Sequence, residues 1–433
     1  DLTDLALLRM DYITAICITP EGSPGPVYSG HILPDEDSAP YQTLPVSTIQ
    51  GLDIDCLDQI LALEKELTRK NALHKPKSGL ENAFLINATT SKPQDAWESM
   101  DELKELCKTS HISVIGTAVQ RRRTIDSKFV VGKGKLSSLI IEAIQKHATL
   151  LVFDRELSPS QIRSITQFVE MKVIDRTQLI LDIFANQAKS REGKFQVELA
   201  QMQYLLPRLI TKNTAMSRLT GGIGGRGPGE TKLEINRRRV RDKINRLKKE
   251  IVKIRKQRRQ QKSRRTRKGL PTISIVGYTN AGKSTLLNTL TQSRIIAADR
   301  LFATLDPSSR RLRFPKDTEV IITDTVGFIR NLPKELMEAF HATLEELKDA
   351  DIILHVIDIS NPRYQQQKTS VERILKQLKL DTIPTLYVFN KIDRIDRAAF
   401  DNPWLINQGI TVSALDKPSL KPLVDKLESM VAM

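Results

Sequence analysis

The sequence has few cysteines, few aromatic residues and no long apolar run. Its 433 residues include three cysteines, Cys17, Cys56 and Cys107, with no C-x-x-C pair and no regular spacing. We therefore expect reduced thiols rather than a disulfide framework or a zinc site. No apolar segment approaches the roughly 20 residues that cross a bilayer, and no secretory signal is visible. These absences predict a cytoplasmic protein without a membrane span.

Acidic residues are almost absent between Arg237 and Lys268. The chain carries 67 Lys/Arg and 51 Asp/Glu, a formal net charge of +16, and this one segment holds eighteen of the basic and two of the acidic residues. The segment thus accounts for the whole net charge, which indicates a polyanionic partner. The alternative, a solvated helix face, is disfavoured by self-repulsion. Because the segment has no aromatic residue, recognition of a nucleic-acid backbone fits better than base stacking.

Hydrophobic patterning divides the chain into four regions. Residues 1–80 form an N-terminal extension with two strands and a helix. Residues 81–185 alternate strand and helix patterns, typical of a small α/β domain with a largely parallel sheet. Residues 186–268 read as two long helices around a glycine-rich stretch, which predicts an antiparallel helical hairpin. Residues 269–433 repeat the alternation and predict a doubly wound α/β nucleotide-binding domain.

The predicted hairpin has its own periodicity. Its second helix carries apolar residues at 4-3-4-3 spacing, a heptad seam: Val240, Ile244, Leu247, Ile251 and Ile254. Its first helix contains Pro207, which should kink or shorten it. Six of the nine residues from Gly221 to Gly229 are glycine, so we expect the tip of the hairpin there. A plain flexible connector is the alternative for that loop, and Arg226 and Pro228 argue against it.

The stretch from Gly277 to Ser284 reads G-x-x-x-x-G-K-S, the phosphate-binding loop pattern. It follows the apolar run Thr272–Val276 and precedes a helix pattern, the context that the motif needs. Backbone N–H groups of such a loop wrap a polyphosphate at a helix N-terminus. Lys283 can reach the β- and γ-phosphates, and Ser284 can ligate Mg²⁺. The predicted nucleotide-binding residues here are Gly277, Tyr278, Thr279, Asn280, Ala281, Gly282, Lys283, Ser284 and Thr285.

Two later segments can complete the catalytic machinery. Thr304 can offer its hydroxyl and backbone to Mg²⁺ and the γ-phosphate. The run Asp324-Thr325-Val326-Gly327 follows an apolar strand, where Asp324 can hold Mg²⁺ through water and the Gly327 N–H can contact the γ-phosphate. We therefore predict Lys283, Thr304 and Gly327 as catalytic, Ser284, Thr304 and Asp324 as metal ligands, and all four residues Asp324, Thr325, Val326 and Gly327 as nucleotide contacts.

Two further segments select the base. In Asn390-Lys391-Ile392-Asp393, the Asp393 carboxylate can accept hydrogen bonds from guanine N1 and N2, a donor pair that adenine lacks. Asn390 can bond the base edge, and the stem of Lys391 can cover its face. In Ser413-Ala414-Leu415, the Ala414 N–H can meet guanine O6. All these elements in order resemble the G domain of translational and signalling GTPases and predict GTP as substrate.

Phe328 and Asn280 refine the expected mechanism. Phe328 follows Asp-x-x-Gly, where Ras-like GTPases carry a water-orienting Gln. An apolar side chain cannot orient water, so we expect slow intrinsic hydrolysis that a partner stimulates. Asn280 could hold a K⁺ ion near the phosphates, as in some GTPases, or merely stabilise the turn. Both interpretations of Asn280 stay open.

Several segments resemble the signature of the HflX family of GTPases. They are Ile174–Thr177, Gly193–Gln201, Arg218–Glu234 and Phe302–Pro307, and the resemblance covers about residues 82 to 433. Two departures are Gly225, where the family pattern has Thr, and Asn236, where it has Asp.

The resemblance implies a ribosome-associated GTPase that binds the large ribosomal subunit and splits or rescues stalled ribosomes. It also implies that the glycine loop approaches the peptidyl-transferase region and that the N-terminal α/β domain contacts ribosomal RNA and, in some members, ATP. We expect a monomer. The alternative is a GTP-switched RNA-binding assembly or regulatory factor without splitting activity. The segment Gly132–Lys135 could bind a phosphate, but a tight turn fits its incomplete pattern better.

Overall fold

The chain forms two compact units, residues 1–179 and 180–433. The computed structural model describes residues 2, 5, 10–33, 41–51, 55–73, 81–209, 232–266, 270–291, 301–302, 308–315, 318–325, 327–329, 333, 335–338, 346–395 and 408–431. Within these ranges, no helix is both long and apolar enough to cross a bilayer. The thiols of Cys17 and Cys107 are free.

Among its described residues, the N-terminal extension contains a small antiparallel sheet and a long helix. The strands are β1 (Tyr12–Ile18), β2 (Pro24–Ile32) and β3 (Tyr41–Thr43), paired in the order β1-β2-β3. Helix α1 spans Cys56–Leu73. Leu57 and Leu61, which the sequence places on its apolar face, are exposed. The predicted strands and helix are therefore present, but these two leucines of its apolar face are not buried.

The N-terminal α/β domain is built on a four-stranded parallel sheet, as predicted. Its elements are β4 (Asn82–Thr89), α2 (Pro93–Thr109), β5 (Ser113–Arg121), α3 (Lys133–Gln145), β6 (Leu150–Phe153), α4 (Pro159–Thr166) and β7 (Lys172–Asp175). The strand order is β5-β4-β6-β7. Helix α4 begins with a capping box in which the Ser158 hydroxyl accepts from the Gln161 N–H, and Pro159 takes the first helical position, which leaves no amide unpaired there.

Three helices follow, of which the last two form the predicted antiparallel pair. They are α5 (Arg176–Gln187), α6 (Arg191–Arg208) and α7 (Lys232–Thr266). Ion pairs join Lys243 to Glu198 at 2.5 Å and Arg191 to Glu250 at 3.7 Å, so residue numbers rise along one helix as they fall along the other.

The heptad seam of α7 packs against α6. Leu199 of α6 joins Ile244, Leu247 and Ile251 in one buried cluster. Helix α6 ends one residue after Pro207, because a proline ring removes an amide donor and crowds the preceding turn. The Gly221–Gly229 loop, the expected tip, lies outside the described residues.

The C-terminal part is a six-stranded, doubly wound sheet. Its elements are β8 (Thr272–Gly277), α8 (Lys283–Thr291), β9 (Ser308–Arg313), β10 (Glu319–Asp324), β11 (Ile352–Asp358), α9 (Tyr364–Gln377), β12 (Thr385–Asn390), β13 (Ile410–Thr411) and α10 (Lys421–Val431). The order is β13-β12-β11-β8-β10-β9, parallel except for β9. Strands β9 and β10 lie on one side of the central strand β8, and β11, β12 and β13 lie on the other side. Doubly wound sheets bind ligands at the carboxyl end of the strand where the order reverses in this way.

Candidate nucleotide site

Two glycines of the phosphate loop are required by close backbone approach. Gly277 ends β8 with φ +154°, and a Cβ there would lie 2.3 Å from the Val356 carbonyl oxygen. Gly282 has φ +92°, and a Cβ there would lie 2.2 Å from the Asn390 side-chain nitrogen. Asn280 adopts the left-handed conformation with φ +62°, which asparagine tolerates better than most residues. The motif's glycines therefore bring the loop against strands β11 and β12.

Lys283, the first residue of α8, is buried at the centre of this loop. It is 6% exposed, and its Nζ donates to the Tyr278 carbonyl at 2.7 Å. Burial lowers the pKa of Lys283 to about 8; the nearby Lys391 lowers it further, while Asp324 acts in the opposite direction. Binding of a polyanion at this place would stabilise the protonated form of the desolvated Lys283 amine.

Ser284 and Asp324 meet at the start of α8 and the end of β10. The Ser284 hydroxyl donates to the Asp324 carboxylate at 2.7 Å, and Asp324 is fully buried. A hydroxyl and a carboxylate oxygen side by side are the donor chemistry that Mg²⁺ prefers, so these two residues fit that ion. Thr304, the third predicted metal ligand, lies outside the described residues.

The Asp-x-x-Gly segment is bonded directly to the phosphate loop. The Thr279 N–H donates to the Phe328 carbonyl at 2.7 Å, and the Phe328 N–H donates to the Gly277 carbonyl at 3.1 Å. Phe328 is 2% exposed, so its ring is a core group in this structure. A Cβ on Gly327 would lie 2.9 Å from the Thr279 methyl carbon and 3.1 Å from the Thr279 Cα, so a side chain here would press against the phosphate loop. Val326 lies outside the described residues.

Threonine side chains of this region differ in their partners. The Thr325 hydroxyl donates to the Ile275 carbonyl of β8 at 2.6 Å, which ties the end of β10 to the central strand. The buried Thr279 hydroxyl has no hydrogen-bond partner among the described residues. A buried hydroxyl without a partner is costly and uncommon, so the phosphate loop retains a polar group that the protein does not satisfy. Thr285 lies in the first turn of α8, and its carbonyl accepts from Thr289.

Asn390 joins the phosphate loop to the segment that begins at Ser413. Its Nδ2 donates to the Ala281 carbonyl at 2.8 Å, and its Oδ1 accepts from the Ala414 N–H at 2.9 Å. The predicted contacts of Asn390 and Ala414 with the guanine edge stay predictions. In this structure both groups are engaged with each other, so Asn390 serves as a brace between two loops of the site.

The remaining base-site residues lie at the ends of β11, β12 and β13. The Ser413 hydroxyl donates to the Asp393 carboxylate at 2.6 Å, which orients the residue predicted to select guanine. The Lys391 amine lies 2.7 Å from the Asp358 carboxylate, a partner that the sequence did not single out. Leu415 is exposed. The structure thus brings the loop, Asp324, Gly327, Asn390, Asp393 and Ser413 to one edge of the sheet.

The N-terminal sheet also gathers charge at its strand ends. Arg176 pairs with Glu102 at 2.6 Å and with Asp154 at 2.9 Å, and Asn87 donates to the same Asp154 at 2.7 Å. Asp175 accepts from the backbone N–H groups of residues 157 and 178. Sequence reasoning recognised Ile174–Thr177 only as a motif; its arginine is the centre of a buried ion network.

The Gly132–Lys135 segment is the start of a helix and not the expected tight turn, since α3 begins at Lys133. Gly132 has φ +85° and precedes α3 directly. A Cβ there would lie 2.5 Å from the Arg122 guanidinium, which donates to the Val131 carbonyl. A side chain of this domain therefore occupies the space beside the glycine.

Three sequence-family profiles match consecutive parts of the chain. "GTP-binding GTPase N-terminal" matches residues 97–185, "GTP-binding GTPase Middle Region" matches residues 187–265, and "50S ribosome-binding GTPase" matches residues 272–391.

Several proteins described as GTPase HflX are similar over most of their length. That of Caldanaerobacter subterraneus subsp. tengcongensis is 46% identical, covering 80% of this chain and 80% of the relative. That of Escherichia coli is 42% identical, covering 76% and 79%. A GTP-binding protein from the archaeon Sulfolobus solfataricus, solved with GDP, has a TM-score of 0.44 at 25% identity, covering 82% of this chain and 99% of that chain.

Proposed function

Since the chain belongs to the HflX family of GTPases, we propose that it is a GTP-switched factor that binds the large ribosomal subunit and splits or rescues stalled ribosomes. Membership of this family means that the protein binds GTP and hydrolyses it to GDP and phosphate. The ribosomal partner is the proposed part. One observation carries it: α7, a helix paired with α6, holds most of the basic segment that accounts for the net charge of +16.

The geometry of the sheet edge supports specific roles for the nucleotide-binding residues. Lys283 supplies positive charge to the β- and γ-phosphates, and Gly327 lets the Asp-x-x-Gly backbone approach the same place. When bound, Mg²⁺ would neutralise charge on the phosphates, held by Ser284 and Asp324, with Thr304 as the further expected ligand. Asp393, oriented by Ser413, accepts from guanine and excludes adenine.

The basic helix is suited to ribosomal RNA. Backbone phosphates are neutralised by Lys and Arg with steep salt dependence and without base contacts. Glu250, one of the few acidic residues of this helix, forms ion pairs within the protein. Its carboxylate lies 2.8 Å from the Lys253 amine and 3.7 Å from the Arg191 guanidinium. The excess of basic over acidic residues along α7 suits a phosphate-rich partner.

Contacts between the helices and the GTPase segments offer a route for the switch. The rings of Phe184 in α5 and Phe302, just before Thr304, lie 4.5 Å apart and are both buried. Gln203 of α6 donates to Glu338, after Gly327, at 3.2 Å. The segments before Thr304 and after Gly327 are expected to order on GTP binding. Movement of these segments would change their contacts with α5 and α6, the two helices that precede the basic helix α7.

Hydrolysis without a partner should be slow. Phe328 supplies no hydrogen bond to an attacking water and is packed in the core. We expect single-turnover GTP hydrolysis to rise when large ribosomal subunits are added. A rate that is already fast in the free protein and unchanged by subunits would contradict this part of the proposal.

Asn280 gives the potassium hypothesis a specific test. Because Asn280 has φ +62°, Asn280→Gly keeps the backbone conformation and deletes only the amide. If Asn280 holds K⁺, turnover in KCl exceeds that in NaCl, and the variant loses the difference. Equal rates in both salts, or a ratio that the variant preserves, would leave Asn280 as a turn residue.

A sucrose gradient decides whether the protein splits ribosomes. Purified protein with GTP is added to intact ribosomes, and the intact-ribosome peak is expected to fall as subunit peaks rise. The matched control is Lys283→Ala, which should leave the peak unchanged. If the wild-type protein co-sediments with large subunits but the intact peak persists, the regulatory or assembly factor without splitting activity is the correct function.

Two narrower expectations remain predictions. ATP binding by the N-terminal domain gains little support from its sheet edge, because the charged groups there are bonded to one another. A monomeric state is likewise untested and is checked by light scattering of the full chain.

A further inference from the structure

We infer that Asp358 is a positioning residue for the guanine base: its carboxylate holds the Lys391 amine, so that the aliphatic stem of Lys391 forms one wall of the base site. The inference deepens the proposed function and rests on it, because it takes Lys391 as a nucleotide-binding residue. Asp358 itself need not touch the nucleotide.

The sheet places the two residues side by side. Asp358 is the last residue of β11, and it pairs in register with Asn390, the last residue of β12. Lys391 comes next and has φ +66°. This left-handed conformation turns the chain at the strand end, where the residues of the base site begin.

The carboxylate of Asp358 is fixed on both of its oxygens. Oδ1 accepts from the Ser360 N–H at 3.0 Å and from the Ser360 hydroxyl at 2.6 Å. Oδ2 accepts from Lys391 Nζ at 2.7 Å. The Asp358 and Lys391 side chains are 13% and 14% exposed. The amine is therefore held by a partner that cannot easily rotate away, in a largely desolvated position.

Anchoring the amine defines the stem. A lysine side chain has four methylene groups and much rotamer freedom when its end is free. Here the Cα is fixed by the strand end and the Nζ by Asp358, so the methylene groups between them have few conformations left. An apolar wall that is ordered before the base arrives loses less entropy on binding.

A plain structural ion pair is the competing explanation. Pairs at this level of burial contribute to folding, and removing one partner leaves the other charge uncompensated. The two explanations differ in energetic coupling: a positioning residue acts on nucleotide affinity only through Lys391, whereas a structural residue acts independently of it.

The experiment measures the Kd for GDP by calorimetry on the full chain in the presence of Mg²⁺. The variants are Asp358→Asn, Lys391→Met and the double variant. We expect Asp358→Asn to weaken GDP binding roughly tenfold, an effect that ordering of one long side chain can produce. The double variant should bind no worse than Lys391→Met alone.

Asp351→Asn is the matched control. Asp351 precedes the same strand at its opposite end, where its carboxylate accepts from the Thr272 N–H at 2.7 Å. Removing that carboxylate should leave the Kd for GDP unchanged. Melting temperatures of all variants separate loss of folding from loss of binding.

The outcomes are distinguishable. If Asp358→Asn binds GDP like the wild type, or if its effect adds fully to that of Lys391→Met, the positioning role is overturned while the GTPase assignment stands. If Lys391→Met alone has no effect on the Kd, anchoring of the Lys391 amine does not influence nucleotide binding and the inference is wrong. A wild-type protein that fails to bind GDP would instead overturn the nucleotide site itself.

Discussion

The two sheets both gather polar side chains at the carboxyl ends of their strands, but they differ in how the buried basic residue at that edge is paired. In the N-terminal sheet, Arg176 is bonded to Glu102 and Asp154, and Asp175 accepts two backbone N–H groups. In the GTPase sheet, the pKa of Lys283 is lowered to about 8 by burial, and the Thr279 hydroxyl has no partner among the described residues.

The difference separates a structural cluster from a binding site. Polar groups that satisfy each other stabilise the fold without a ligand. A desolvated lysine with a depressed pKa gains when an anion arrives, which makes it a functional-site candidate. Charged side chains at the carboxyl ends of strands are therefore weak evidence for a ligand site until their ion pairs and hydrogen bonds within the protein are known.

The largest expected effect is the loss of Arg176. Arg176→Met leaves the buried carboxylates of Asp154 and Glu102 without a cation, which should lower the free energy of unfolding by about 3–5 kcal/mol. Urea unfolding followed by circular dichroism measures it. Lys172→Met is the control, because the exposed pair of Lys172 with Glu81 should contribute at most about 1 kcal/mol. Equal losses of unfolding free energy in the two variants would show that Arg176 does not stabilise the fold by pairing with the buried carboxylates.

Removal of Lys283 should act on binding. Lys283→Ala removes the buried cation that faces the phosphates, and such truncations cost about 2–5 kcal/mol, so GTP affinity should fall at least about thirtyfold. Fluorescence titration with a labelled GTP analogue measures the loss. Retained tight binding would contradict the assignment of the phosphate loop. The folded protein, relieved of a buried charge, should not become less stable.

The smallest expected effect has the opposite sign. Thr279→Val keeps the shape of the side chain and deletes the unpartnered hydroxyl, so the nucleotide-free protein should gain about 1 kcal/mol of unfolding free energy. Asn87→Leu in the N-terminal sheet, where the amide is bonded to Asp154, should instead destabilise. If both substitutions destabilise, the Thr279 hydroxyl already has a partner, and the contrast between the two edges weakens.

The sequence predicted the architecture and most of the site because those features are local. The apolar runs before Gly277, Asp324 and Asn390 are strands, and the heptad seam of α7 packs on α6. Strand β9 (Ser308–Arg313) was missed, since only one of its six residues is apolar and it lies at the edge of the sheet. Polar edge strands leave little hydrophobic signal.

Contacts between distant residues could not be predicted from one sequence. Asp358 lies 33 residues from its partner Lys391, and Asn390 lies 109 residues from the Ala281 carbonyl that it bonds. The motif predicts that Asn390 belongs to the site, but its brace between two loops depends on sheet order. The pKa of Lys283 likewise depends on burial, which only the folded structure provides.

The most direct test of the depressed pKa of the buried Lys283 amine is the pH dependence of GTP affinity. Nucleotide phosphates favour the protonated amine, so the pKa of Lys283 in the complex lies above its value of about 8 in the free protein. Affinity should then fall as the pH rises through 8, by roughly tenfold between pH 7.5 and pH 9. Guanine N1 also loses a proton at alkaline pH, so Lys283→Arg, which stays charged, reports that contribution alone. A steeper fall in the wild-type protein than in Lys283→Arg is the predicted result, and identical profiles would contradict the account.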